Sequence, residues 1–225
     1  MSGAAARAAA ILRKDLLTEF RSRQAIGAMV LFALLLVLVL AFAFEPTAEE
    51  SRRIGPGILW IAFAFAGVIG LEHGSSSERA LGGMEALLAS PVERGTIYLA
   101  KLAGHTLFLF IAQCVVLPFF ALFFDVDLLP FLGELLLLLL AGAVGFCAVG
   151  TLLSAVVSGT RLRGVLLPLL LLPVTVPVLV AAVEGTAALF DGRPAAGSFR
   201  ILIAFDAIFT AAAALLFGPA TEEGG

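Results

Sequence analysis

The chain has 225 residues, 61% of them hydrophobic and only 14% charged, with a mean hydropathy of +1.09. Soluble domains are about half apolar and a quarter charged, so this composition excludes an ordinary water-soluble core and points to a multi-spanning membrane protein. The net charge of −3 is too small to attract a nucleic acid, so none is expected as a partner.

Residues 7–23 carry Arg7, Arg13, Lys14, Arg21 and Arg23. Apolar Leu12, Leu16 and Phe20 recur every fourth residue, with Ile11 and Leu17 beside them. That is one face of a helix with charge on the other, which predicts a helix lying along the lipid surface. A basic flank that only obeys the positive-inside rule is the plainer alternative. Ala41-Phe42-Ala43 resembles a signal-peptide cleavage site. The apolar run before it is longer than the roughly 7–15 residues of a signal peptide, so an uncleaved first span is expected.

Six apolar spans follow, at 25–44, 54–71, 102–124, 135–157, 165–183 and 201–217. Each is long enough to cross about 30 Å of hydrocarbon. Placing the N-terminus in the cytoplasm puts ten basic residues on that side: the five above with Arg79, Arg94, Lys101, Arg161 and Arg163. Only four, Arg52, Arg53, Arg193 and Arg200, fall on the other. The positive-inside rule selects this orientation, with both termini cytoplasmic.

Between spans two and three lies the longest polar break, residues 71–101. Ser75 with Glu78 reads as a capping box opening a short helix, with Leu81, Met84 and Leu88 on one face. Gly82-Gly83 weakens that helix. Ser90-Pro91-Val92-Glu93 reads as a second capping box with proline at the first helical position. A helix from there to Phe124 would have about 34 residues and a length of about 50 Å, a third of it outside the hydrocarbon. Residues 75–90 thus form a candidate cytoplasmic coupling segment leading into a stalk. A surface helix with no docking role has the same pattern.

Inside the spans, Ala62, Ala66 and Gly70, then Ala141 and Gly145, recur at four-residue spacing and let helices approach closely. Span five carries Pro168, Pro173 and Pro177, each of which removes a backbone hydrogen bond; the result is a bend or a moving part. Asp206, about five residues into span six with Thr210 one turn on, is a lining residue or a helix-to-helix hydrogen bond. Gln113 is the other isolated polar residue of the spans. These make no paired acid/base or metal set, so an intramembrane enzyme is not supported. His73 and His105 stand at similar depth and could bracket an iron, although interfacial side chains are the plainer reading. Cys114 and Cys147 lie in apolar runs and read as buried free thiols. Lys14 and Lys101 are the only lysines and neither follows a glycine, so the chain has no phosphate-cradling loop, and no C-x-x-C-H for covalent haem.

The chain resembles the CcmB family, the membrane subunit of the bacterial cytochrome c biogenesis haem exporter. The resemblance rests on Lys14-Asp15, Glu19 and Arg21-Ser22-Arg23, then Pro56-Gly57-Ile58-Leu59-Trp60-Ile61 and Leu71-Glu72. It continues through Glu78, Gly83-Met84-Glu85, Leu88, Ser90-Pro91 and Tyr98-Leu99-Ala100-Lys101. Val165-Leu166-Leu167-Pro168-Leu169, Leu172-Pro173 and Ala204-Phe205-Asp206-Ala207-Ile208-Phe209 complete it. His73, where the family usually has a basic residue, and Gly164, where it often has an acidic one, depart from the pattern. The resemblance implies a six-span ABC-type permease of the inner membrane, working as a homodimer with a separate CcmA-like ATPase that binds the ATP. It also implies CcmC-like and CcmD-like membrane partners and a periplasmic CcmE-like haem chaperone, with haem as substrate. Glu72, Glu78, Gly83, Glu85 and Pro91 would then contact the ATPase. A non-conducting scaffold for a haem-handling complex, or an exporter of another lipophilic molecule, is the alternative.

Overall fold

In lipid a backbone must satisfy its own polar groups, and for apolar runs of this length the helix is the way to do it. The computed structural model describes residues 2–22, 24–80, 92–160 and 162–222, and these fold as an all-α protein. The α-helices are α1 (Ser2–Ser22), α2 (Gln24–Phe44), α3 (Ala48–Ala80), α4 (Arg94–Phe124), α5 (Leu132–Val156), α6 (Arg163–Phe190) and α7 (Ala196–Glu222). Six of them, α2 to α7, are long and apolar enough to cross a membrane. The C-terminal ends of α3 and α5 and the N-terminal ends of α4 and α6 lie with α1 at one end of the bundle, the basic end. The turns at 45–47, 125–131 and 191–195 lie at the far end.

Several helices begin or end away from the limits of their apolar runs, and at α3 a side-chain cap is the reason. Thr47 and Glu50 form a capping box: the Thr47 N–H and hydroxyl both donate to Glu50 Oε2 at 2.9 Å, and the Glu50 N–H reaches back to the Thr47 hydroxyl at 3.4 Å. So α3 starts at Ala48, ahead of the expected 54, and carries Pro56 inside it. It then runs unbroken to Ala80, so Ser75 lies within the helix and does not open a new one. Residues 81–91, with Leu81, Gly82, Gly83, Met84, Glu85, Leu88 and Pro91, fall outside the described residues. The stalk begins later than expected. Glu93, extended at φ −60° and ψ 133°, is the N-cap of α4, and its carbonyl already accepts from the Thr96 and Ile97 N–H groups. At its other end α4 stops at Asp125, left-handed at φ 49°.

The helix α6 runs through Pro168, Pro173 and Pro177 to Phe190, seven residues beyond the expected 183 and past Glu184. Thr175 donates its hydroxyl to the Leu171 carbonyl at 2.9 Å, the kind of back-bonding that bends helices. A turn containing Gly192 at φ 68° then leads into α7.

The helix α5 is the axis of the bundle. It touches α3, α4, α6 and α7, and nearly every residue from Leu138 to Thr151 is sheltered. Large side chains of its neighbours lie where α5 has only hydrogen: Trp60 over Gly142 and Leu71 over Gly150. On α3 the same device recurs, with Phe146 against Gly67 and Met29 against Gly70. Ala62 and Ala66 are fully buried, as their four-residue spacing suggested, and Gly145 faces α6 and α7. By contrast α2 buries only a thin stripe, Ala25, Met29, Ala33, Val37 and Ala41. That is the pattern of a helix with most of its surface in lipid.

At the far end the helices are tied by aromatic rings. Phe120 stacks on Phe124 at 4.7 Å, and Phe131 and Phe120 flank Phe190 at 5.5 and 6.4 Å. Arg52 donates to the Phe190 carbonyl at 3.2 Å. Trp60, the sole tryptophan, donates its indole N–H to the Thr186 hydroxyl at 2.9 Å.

Gly142→Val should push the Trp60 ring from its seat and break that hydrogen bond, costing about 1–3 kcal/mol, as overpacking does. A lower thermal midpoint in detergent with altered tryptophan emission is the expected result; wild-type values for both would refute the close approach.

Candidate functional site

Charged and polar side chains gather at the basic end, on the elements that flank residues 81–91. The outermost layer is α1. Its inward face is built from Ile11, which is buried, with half-buried Ala8, Leu12 and Leu16, and it packs on α4. Leu12 reaches α4 at Gly104. Leu17 points outward, 59% exposed, and so leaves the face on which it was expected. The charged residues of α1 also bond to its neighbours. Asp15 accepts from Lys101 Nζ at 2.7 Å, and Lys14 lies 3.0 Å from its other oxygen. Lys101 is only 4% exposed, and a cation so buried needs a carboxylate beside it. One turn on, Glu19 accepts the Ile26 N–H at 3.0 Å and so satisfies an orphan donor in the first turn of α2.

The next layer lies deeper. Tyr98, fully buried, donates its hydroxyl to the Ala148 carbonyl at 3.0 Å, and its ring lies 5.6 Å from that of Phe217. That joins α4 to α5 and α7. Nδ1 of His105 shares a 2.9 Å hydrogen bond with the Thr151 hydroxyl, while Nε2 faces Gly74 of α3. Glu72, half-buried near the end of α3, faces Gly164 in the first turn of α6, where the helix dipole favours a negative charge.

The expected site residues divide between this layer and other places. Glu72 belongs to it. Glu78 lies in the last turn of α3, its side chain outside the described part of the structure, and Gly83, Glu85 and Pro91 are outside it altogether. The histidines do not share a cavity. His105 lines a small cavity of about 10 Å³ with Met29, Leu71, Phe108, Leu109 and Cys147. His73 is exposed and donates Nδ1–H to the Ile69 carbonyl at 3.3 Å. Asp206 and Gln113 lie in the membrane-spanning part, away from this end. Asp206 is half-buried on α7 with Oδ1 pressed towards Gly145, and Thr210 is one turn on, also half-buried. Gln113 is completely buried on α4. Cys114 and Cys147 are free thiols; Cys147 is buried as expected, whereas Cys114 is only half-buried. Among the described residues no three His, Cys, Asp or Glu side chains group as a metal site.

That Lys101 needs an acid had a signal in the sequence, since a lysine at the mouth of an apolar run is rarely buried unpaired; which of the 17 acidic residues it meets did not. The Thr47-x-x-Glu50 box was likewise readable.

A family model described as CcmB protein matches residues 6–222. The chain is 28% identical to the heme exporter protein B of Pseudomonas aeruginosa over 198 residues, 88% of each chain. It is 28% identical to that of Bradyrhizobium diazoefficiens over 216 residues, covering 93% of this chain and 97% of the relative. It is also 28% identical to that of Escherichia coli K12 over 205 residues, 85% of this chain and 87% of the relative.

The Asp15–Lys101 contact gives a double-mutant cycle. Asp15→Asn strands a buried cation and should cost about 2 kcal/mol or more, whereas Asp15→Asn with Lys101→Met should recover most of that loss. Additive effects on thermal midpoint in detergent would show that the two groups do not interact.

Proposed function

The chain belongs to the CcmB protein family, and on that footing we propose that it is the membrane permease subunit of an ATP-driven ABC-type complex serving haem export in cytochrome c maturation. Its relatives carry the name heme exporter protein B. With no phosphate-cradling loop in the sequence, ATP is bound by a separate CcmA-like subunit, and two copies of this chain face two copies of that ATPase. CcmC-like and CcmD-like membrane proteins and a periplasmic CcmE-like chaperone complete the assembly. The complex sits in the bacterial inner membrane with both termini of this chain cytoplasmic, in keeping with the placement of arginine and lysine.

One observation carries the coupling role. The two helices that flank residues 81–91, α3 and α4, are long and continuous, and side chains join them at the basic end to α1, α5, α6 and α7. Force applied to the segment would therefore reach most of the bundle. Glu78, Gly83, Glu85 and Pro91 make the contact with the ATPase, Glu72 couples it onward to α6 from the deeper layer, and the prolines of α6 allow it to bend in response.

The force serves export of haem or release of the haem-loaded chaperone. Two small cavities in the described part of the bundle, each about 10 Å³, are too small for haem.

Two outcomes are expected. Glu85→Lys should insert normally but lose the ATPase on co-purification. Reversing a charge at a docking contact costs about 2–5 kcal/mol, at least a tenfold loss of affinity. Retained ATPase and normal cytochrome c maturation would refute the coupling role. Asp206→Asn should leave maturation within about twofold of wild type at equal abundance, since no step is routed through its carboxylate. A larger defect would mean that Asp206 lines a path.

A further inference from the structure

Gln113 is shut off from solvent on all sides, at 0% exposure. Neither its amide nitrogen nor its amide oxygen has a hydrogen-bond partner among the described residues. Exchanging the two amide atoms cures nothing, because both are orphaned. The large majority of buried side-chain polar atoms in folded proteins are paired, so a doubly bare amide requires an explanation.

Beside it lies a cavity of about 10 Å³, walled by Trp60, Phe63, Leu109, Phe146 and Leu179 together with Gln113 itself. That volume is about one water-sized sphere, the least that holds a water. An amide offers both donors and an acceptor, which supplies the two polar contacts a buried water needs. Nothing as large as a haem or a lipid tail fits there, and the other walls are apolar rings and aliphatic chains. We propose that Gln113 binds a single water molecule in this cavity, a polar ligand site in the core of the bundle. The water satisfies the amide and lets it persist in the membrane-spanning part of the chain. Leu109 lines both this cavity and the one beside His105. The site does not depend on the haem reading and stands or falls separately from it.

The test is radiolytic labelling of the full chain in lipid nanodiscs. Ionising radiation makes hydroxyl radicals from a bound water in place, and these oxidise the side chains touching it even when a scavenger removes radicals from bulk solvent. Phe63 and Phe146 should be hydroxylated in the wild type under scavenger. In the near-isosteric Gln113→Met, whose side chain cannot hold the water, their labelling should fall about fivefold or more. Unlabelled phenylalanines in the wild type would overturn the proposal. So would labelling that is unchanged in Gln113→Met. If that variant does not insert, the wild-type measurement under scavenger decides alone.

Discussion

A lysine with almost no exposed surface can stay charged only with a carboxylate against it, and Lys101 has Asp15 at 2.7 Å. Much of the basic end follows from that one contact. It brings α1, which could otherwise drift along the membrane surface, onto the first turns of α4. With α1 seated there, Glu19 is placed to cap α2. The same stretch of α4 carries Tyr98 and His105, which bond to α5. A surface helix, the first span, the stalk and the axial helix are thus joined within a few turns. Such a pair adds little net stability when compared with a well-packed apolar alternative. Its value here is geometric, since it fixes which face of α1 meets α4.

Hydropathy made the membrane architecture legible, because six runs of this length have no other economical home. It was a poorer guide to helix ends. Apolar content reports where water is absent, whereas a helix ends where its backbone groups find other partners. Thus α3 begins at a capping box six residues before its apolar run, and α6 continues past Glu184 to Phe190. Ser75 has the chemistry of a cap, but the helix it sits in was already propagating. Adding a residue to a growing helix is favourable, whereas restarting one is costly.

The site was legible in its parts and not in its pairings. Lys14-Asp15, Glu19 and Tyr98 through Lys101 all stood out as family-like, but Asp15 and Lys101 are 86 residues apart and no local pattern joins them. His105 shows the same limit. Depth alone paired it with His73, and only the packing of α4 on α5 reveals that Thr151 is its partner. For Gln113 the sequence marked a polar residue in an apolar run, and the fold added that both ends of its amide are bare.

The far end behaves differently. Its connections are tight turns, its rings converge on Phe190, and Arg52 clasps the Phe190 carbonyl. Four stretches far apart in the chain, at Arg52, Phe120 to Phe124, Phe131 and Phe190, are thereby clasped at one point. The Phe190 knot is a rivet that holds the far ends of α3, α4 and α6 to the turn that opens α5.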